Sequence, residues 1–174
     1  HKNLEEFIIM PYKNINTMLV AIDEAEKAGL RDEVPVGAAI YDHEHGHIVA
    51  KAGNNVRSLN DPTAHAEILV IREACKKIGQ SRLAFFSLYV TLEPCPMCCQ
   101  AISFARLPKL VFGAYDTKGG GVEHGPKIFS HPTSHHYLEI LGGIEEQRCG
   151  ELLTDFFNKK RQEGNSLKKN HNKS

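Results

Sequence analysis

The hydrophobic positions follow two rhythms along the chain. Met18, Leu19, Ile22 and Ala25 recur at the spacing of a helix with one apolar face, and Gly29 follows as a stop, so about 14–28 reads as an amphipathic helix. Val36–Tyr41 and His47–Ala50 read as two strands joined by a turn around Glu44, His45 and Gly46. Asp61-Pro62-Thr63 looks like a helix start, and from Ala64 to Lys77 the residues Ile68, Ile71 and Cys75 share a face until Gly79 ends the run. Ser87–Leu92 is a strong strand, and Cys95–Ala105 is a short helix halted before Pro108. Leu110–Tyr115 is a further strand and Tyr137–Leu141 a weaker one. Glu145–Arg161 carries Leu152, Leu153, Phe156 and Phe157 at helical spacing and closes the fold.

Helices alternating with strands predict an α/β layered domain. Its first two strands form a hairpin, so the sheet is mixed rather than wholly parallel. The pattern shows no internal repeat. The Asn/Lys/Ser-rich end from about Gly164 reads as disordered, which divides the chain into one domain over 1–163 and a basic tail over 164–174.

Composition narrows the classes without naming a function. At 174 residues one domain is the default. An apolar fraction of 41% excludes a disordered or collagen-like chain. Five cysteines are too few for a disulfide scaffold, and their number is odd. No apolar run approaches the ~20 residues that cross a bilayer, and no signal peptide precedes the first helix. The expectation is a soluble cytoplasmic protein with reduced thiols and no membrane partner. Basic and acidic residues balance at 21 each, yet the balance is uneven. Lys159, Lys160, Arg161, Lys168, Lys169 and Lys173 face only Glu163 in the last stretch. Such an end suits a polyanionic partner, or is simply a solvated terminus.

Two short motifs carry chemistry: His65-Ala66-Glu67 and Pro94-Cys95-Pro96-Met97-Cys98. Both fall at a predicted helix N-terminus, and the second directly follows a strand. Cys95 and Cys98 are three apart, so on a helix they point the same way. A helix N-terminus favours the thiolates that a soft metal needs. With His65 they make three protein ligands for one zinc ion. Structural zinc sites are usually closed by four ligands, whereas catalytic sites keep a position for water. Cys99, next to Cys98, should point off the shared face, and Cys75 and Cys149 have no ligand-like neighbours. Glu67 is too close to His65 to share the metal comfortably, yet close enough to move protons at a bound water. H-x-E followed by P-C-x-x-C is the signature of zinc nucleobase deaminases.

On these residues the chain resembles the bacterial tRNA-specific adenosine deaminases of the cytidine-deaminase-like superfamily, from about Ile15 to Glu163. The blocks Glu33-Val-Pro-Val-Gly-Ala38, Asp61-Pro-Thr-Ala-His-Ala-Glu67 and Leu88-Tyr-Val-Thr-Leu-Glu-Pro-Cys95 are similar almost letter for letter. So are Val111-Phe-Gly-Ala-Tyr-Asp116 and Leu152-Leu-Thr-Asp-Phe-Phe157. The resemblance implies a three-layer α/β/α fold with a five-stranded mixed sheet. It implies a homodimer that converts the wobble adenosine of a tRNA anticodon stem-loop to inosine, releasing ammonia, with one zinc per chain and no organic cofactor. His65, Cys95 and Cys98 would hold the zinc and Glu67 would move protons. Asn54 matches the asparagine that holds the target base, with Asn55 one place away as the alternative. Asp116 matches an acidic residue near the target nucleotide. The alternative activity is deamination of a free base or nucleoside such as guanine, cytosine or cytidine.

Other features read more plainly. His43, His45 and His47 straddle the hairpin turn and read as solvated histidines rather than a second metal site. Lys118-Gly-Gly-Gly121 lacks the GK[ST] ending of a P-loop, so it reads as a flexible loop. The segment from Lys118 to Pro126 departs from the commonest family pattern near the presumed substrate edge. His131, His135 and His136 suit RNA contacts or ordinary loop polarity equally. Of Phe156 and Phe157, one is expected in the core and one at the substrate or dimer edge.

Overall fold

The structure, a computed structural model, describes residues 15–171; the outer parts of the predicted 1–163 and 164–174 segments lie outside the described residues. The elements run α1 (Ile15–Leu30), β1 (Gly37–Asp42), β2 (His47–Gly53), α2 (Val56–Leu59), α3 (Ala66–Ile78), β3 (Phe86–Leu92), α4 (Pro96–Phe104), β4 (Lys109–Ala114), a 3-10 turn (Ile128–Ser130), β5 (Glu139–Leu141) and α5 (Glu146–His171). The sheet order is β2-β1-β3-β4-β5. β1 is antiparallel to β2 and β3, while β4 is parallel to β3 and β5, so the mixed five-stranded sheet is as expected.

The period-two alternation of the strands builds two cores. Ala38, Ile40, Leu88, Val90, Leu110 and Phe112 face α3 and α4, where Val70, Ala74, Cys99 and Ile102 complete one core. Ala39, Tyr89 and Val111 face α1 and α5, where Met18, Ala21, Ile22 and Cys149 complete the other. The result is three layers, α/β/α. Gly37 lets the second core close: a Cβ there would overlap the carbonyl oxygen of Ala21, so α1 lies directly on the β1 backbone.

The buried face of α3 is not the one that the large residues suggested. Ala66, Glu67, Val70 and Ala74 are its buried positions, and Ile71 and Cys75 pack at the margin. Ile68 is only half-buried, because small alanines allow the helix a closer approach to the sheet. At α1, Gly29 sits within the last turn and the reversal falls at Asp32, whose φ is +65°. Two short elements, α2 and the 3-10 turn, were not predicted.

The C-terminal end differs most from expectation. Instead of losing order at Gly164, α5 continues to His171. One glycine costs a helix interior about 1 kcal/mol, and helix-forming residues on both sides carry the run past it. Lys160 and Glu163 pair at 3.8 Å one turn apart, and the Ser166 hydroxyl donates to the Gln162 carbonyl at 3.1 Å. Every residue from 161 to 171 is exposed.

Candidate metal centre and cavity

β3 ends at Leu92 and delivers Glu93, Pro94 and Cys95 to the start of α4, where Pro96 takes the first helical position. His65 stands at the same place on α3. Both helix-start residues have extended backbones, and neither side chain caps its own helix. They are therefore free to face each other across the gap. His65 Nδ1 lies 3.6 Å from Cys95 Sγ and 3.6 Å from Cys98 Sγ. Zinc bonds of ~2.3 Å to sulfur and ~2.05 Å to nitrogen at a tetrahedral angle separate the two donors by about 3.6 Å. The spacing is thus that of a zinc shell rather than of hydrogen bonds alone. The three donor atoms lie within 4.8 Å of one another, and the cluster has three members among the described residues. The Cys99 thiol turns to the Pro94 carbonyl at 3.5 Å, so it does not serve as a fourth.

The two thiols are matched to a cation. Hydrogen bonding from Cys98, helped by His65, pulls the Cys95 thiol down to about 4 against the effect of burial. The Cys95 neighbour, burial and the Glu67 carboxylate push Cys98 the other way. Only one of the pair ionises alone, and a divalent metal takes both as thiolates.

Glu67 follows His65 by half a turn and is 4% exposed. Burial pushes its carboxyl up, and its own backbone N–H, the Cys98 thiol and His65 offset this only in part. A carboxyl beside a metal shell with its proton affinity raised is suited to accept and return protons.

These groups open onto a cavity of about 620 Å³, within the range of ligand pockets. Asn54 forms part of its wall; Asn55 does not. The Asn54 side-chain oxygen accepts the Ala66 backbone N–H at 2.8 Å, which secures the start of α3 and leaves the amide N–H2 for the cavity. Below Asn54 lies Glu33, 2% exposed, which accepts N–H bonds from Arg57 and Ser58 and the Ser58 hydroxyl. Burial works against its charge, yet these donors and Arg31 hold its carboxyl below the usual range. Glu33 thus caps α2 from a distance and fixes the turn that carries Asn54 and Arg57.

Asp116 and Gly119 form the facing rim. Asp116 Oδ1 accepts the backbone N–H of Lys118 at 3.1 Å and of Gly119 at 2.9 Å, so Asp116 caps its own turn as well as facing the cavity. The loop behind it is tied to a buried carboxylate. The buried carboxylate of Glu93 accepts backbone N–H bonds from Asp116, Val122, Glu123 and His124 and pairs with the His124 ring at 2.8 Å. Phe156, Phe157, Lys160 and Arg57 edge the mouth. Both phenylalanines line the cavity and neither belongs to the core, because α5 presents only Leu152, Leu153 and Cys149 to the sheet. Lys160 and Arg57 both pair with Asp32, and Lys160 sits over the Phe156 ring.

Sequence reasoning reached the ligands, Glu67, Asn54 and Asp116, which the fold brings together. It gave no role to Glu33 or Glu93. Their one signal was a carboxylate within two residues of a proline at the edge of an apolar block, Glu33 before Val34-Pro35 and Glu93 before Pro94. The remaining histidines stand elsewhere. His45 Nδ1 pairs with Asp42 at 2.8 Å, and His43 is half-buried against the Ser87 hydroxyl rather than solvated. His136 binds the Leu107 carbonyl at 2.6 Å and His131 binds Thr133. None of these lines the cavity. Among the described residues no helix is long and apolar enough to cross a membrane.

Residues 11–114 match the model of the cytidine and deoxycytidylate deaminase zinc-binding region. The tRNA-specific adenosine deaminase of Agrobacterium fabrum is 53% identical over 144 residues, 83% of this chain and 93% of that protein. A solved structure from a study of A-to-I editing by tRNA:A34 deaminases at the wobble position of transfer RNA is 52% identical, with a TM-score of 0.77 over 79% of this chain and 99% of its own. A guanine deaminase structure from Bacillus subtilis is similar at 32% identity and a TM-score of 0.58, covering 75% of this chain and 83% of its own. The chain belongs to the zinc-dependent cytidine and deoxycytidylate deaminase family, on the side of its tRNA-specific adenosine deaminases.

Proposed function

We propose that this protein deaminates the wobble adenosine of a tRNA anticodon to inosine. The carrying observation is the three-donor cluster with a buried Glu67 beside it, open to a cavity edged by Arg57, Lys160, Phe156 and Phe157. Identity of 53% to a tRNA-specific adenosine deaminase supports the substrate. His65, Cys95 and Cys98 would hold zinc. Zinc bound there supplies a Lewis acid that brings water into the range where it ionises near neutral pH.

The chain's own groups do the rest. Glu67 accepts a proton from the attacking water and delivers it to adenine N1; it then takes the second proton from the hydroxyl now on C6 and delivers it to the departing amine. The C6–O bond forms and the C6–N6 bond breaks, so adenosine and water give inosine and ammonia. Asn54 donates its free amide N–H to the target base and keeps it in register with Glu67. Asp116 faces the same nucleotide from the opposite rim. A stacked base cannot enter such a cavity, and an anticodon loop offers one already unpaired. Phe156 and Phe157 offer faces to splayed bases, while Arg57 and Lys160 attract phosphates, so binding weakens as salt rises. The enzyme acts as a homodimer in the cytoplasm. The solvent-facing stripe of Met97 and Phe104, two turns apart on α4, supports an apolar contact between copies.

The test is incubation of the zinc-loaded protein with bulk tRNA, followed by sequencing for adenosine read as guanosine at the wobble position. Ammonia release from free guanine, cytidine and adenosine runs beside it. Editing confined to anticodon loops is the expected result. Turnover of a free base with none on tRNA would establish the free-base activity instead.

A further inference from the structure

The loop from Asp116 to His124 carries one rim of the cavity, but it has no secondary structure of its own to hold it there. Beyond its own turn bonds and the Gly121 N–H on the Pro94 carbonyl, what holds it is the side chain of Glu93. Glu93 Oε1 accepts the Asp116 N–H at 3.2 Å and faces His124 Nδ1 at 2.8 Å. Oε2 accepts the N–H groups of Val122, Glu123 and His124 at 3.1–3.2 Å. The carboxylate is wholly buried, and the side chain paired with it is the one-third-exposed His124 ring. Both oxygens are therefore committed to the loop, and the loop's backbone is committed to them.

The fit is tight on the other side too. A Cβ on Gly120 would overlap Glu93 Oε2, and one on Gly121 would come within 2.8 Å of the Pro96 nitrogen. The Gly121 N–H donates to the Pro94 carbonyl at 2.8 Å. Glycine is needed at Gly121 because it lies on the backbone of the metal turn, and at Gly120 because it lies against the Glu93 carboxylate. The same four-residue stretch Glu93–Pro96 thus carries both a metal ligand and the anchor of the opposite rim.

We propose that Glu93, clamped by His124, is a positioning residue that sets the distance between the Asp116 rim and the metal turn, and so the width of the cavity that receives the target base. The proposal rests on the deaminase reading for its substrate, though not for its structural half. The Glu93 side chain has no exposed surface. It acts through Asp116 and Gly119.

The experiment compares wild type with His124→Ala, His124→Gln and Glu93→Gln. It measures zinc content, amide hydrogen exchange, and KM and kcat on an anticodon stem-loop. His124→Ala is expected to keep one zinc per chain and to raise exchange at residues 116–124 on the order of tenfold, with α3 and the sheet unchanged. KM should rise on the order of tenfold while kcat moves less. His124→Gln, which retains a side-chain N–H for Oε1, should recover most of both effects. Glu93→Gln should shift them further in the same direction. Wild-type exchange at 116–124 in His124→Ala overturns the clamp, whatever the enzyme acts on. Raised exchange with unchanged KM, or a uniform loss of protection across the domain, overturns the positioning role. If wild type does not edit the stem-loop, the deaminase reading fails separately, and KM for whichever base is turned over decides the positioning role. If Glu93→Gln does not fold, the His124 pair of variants decides.

Discussion

Glu67 and Glu93 border the same cavity, are both buried, and lie within two residues of a metal ligand, yet their protons behave oppositely. Burial pushes both carboxyls up. At Glu67 few donors oppose it, and the carboxyl stays raised. At Glu93 the His124 ring and the backbone N–H groups of Asp116, Glu123 and His124 outweigh burial, and the carboxyl is held below its usual range. Burial alone does not decide the state of a carboxyl; the count of donors aimed at it does. One glutamate is left short of partners and so can exchange a proton. The other is saturated and serves as a fixed anion around which a loop folds.

The largest test of this division is removal of the metal turn's ligand. Cys95→Ala is expected to lose zinc by elemental analysis and all turnover. Zinc at about a thousand times Kd should add about 4 kcal/mol to wild-type stability in denaturant titration, and nothing to the variant. Glu67→Gln should keep its zinc and lose roughly 10²–10⁴-fold in turnover, read as inosine formed per enzyme. In chelator its unfolding free energy should rise by about 1 kcal/mol, because a poorly partnered buried charge is gone. A fully active Glu67→Gln would refute the proton-transfer role. Glu93→Gln should move stability the other way, by about 3 kcal/mol, since an amide cannot accept from both groups of donors at once.

The smallest effect is on acid stability. Glu33, Asp42 and Glu93 have folded values below their unfolded ones, so their contribution is complete above about pH 4.5 and is lost as pH falls through the folded values. For Glu67 the folded value is raised, so in the metal-free protein stability declines as pH climbs through it. Urea unfolding from pH 3 to 7 should therefore be shallower on the acid side in Glu93→Gln and flatter on the neutral side in Glu67→Gln.

The two glutamates also differ in how visible they are in the sequence. The reactive one is readable because zinc chemistry demands particular side chains at fixed spacings: His65 and Glu67 two apart, Cys95 and Cys98 three apart. The fold's layers are readable for a similar reason, since Ala39, Tyr89 and Val111 alternate with Ile40, Val90 and Phe112 at the period of a strand. Besides the His124 ring, Glu93 is bound by the backbone N–H groups of Asp116, Val122, Glu123 and His124, and every residue but proline has one, so residue types announce little of the partnership. The same blindness explains why the bonds of Glu33 under α2 and of Lys118–Gly121 to Asp116 and Pro94 went unseen. The face of α3 was misjudged because Ala66 and Ala74 look weak beside Ile68, although small side chains allow the closest approach. α5 past Gly164 was misjudged because composition alone does not register pairs one turn apart, such as Lys160 and Glu163.

The reactive parts all come from residues 65–98, two helix starts and the strand between them, whereas the rims come from 32–57, 116–124 and 156–160. This segregation makes the chain modular in a chemical sense. Hydrolytic power resides in one short inheritable block, and selectivity in borrowed edges that can be redrawn without disturbing it. Laboratory retargeting toward another nucleobase would begin at those edges and leave the block untouched.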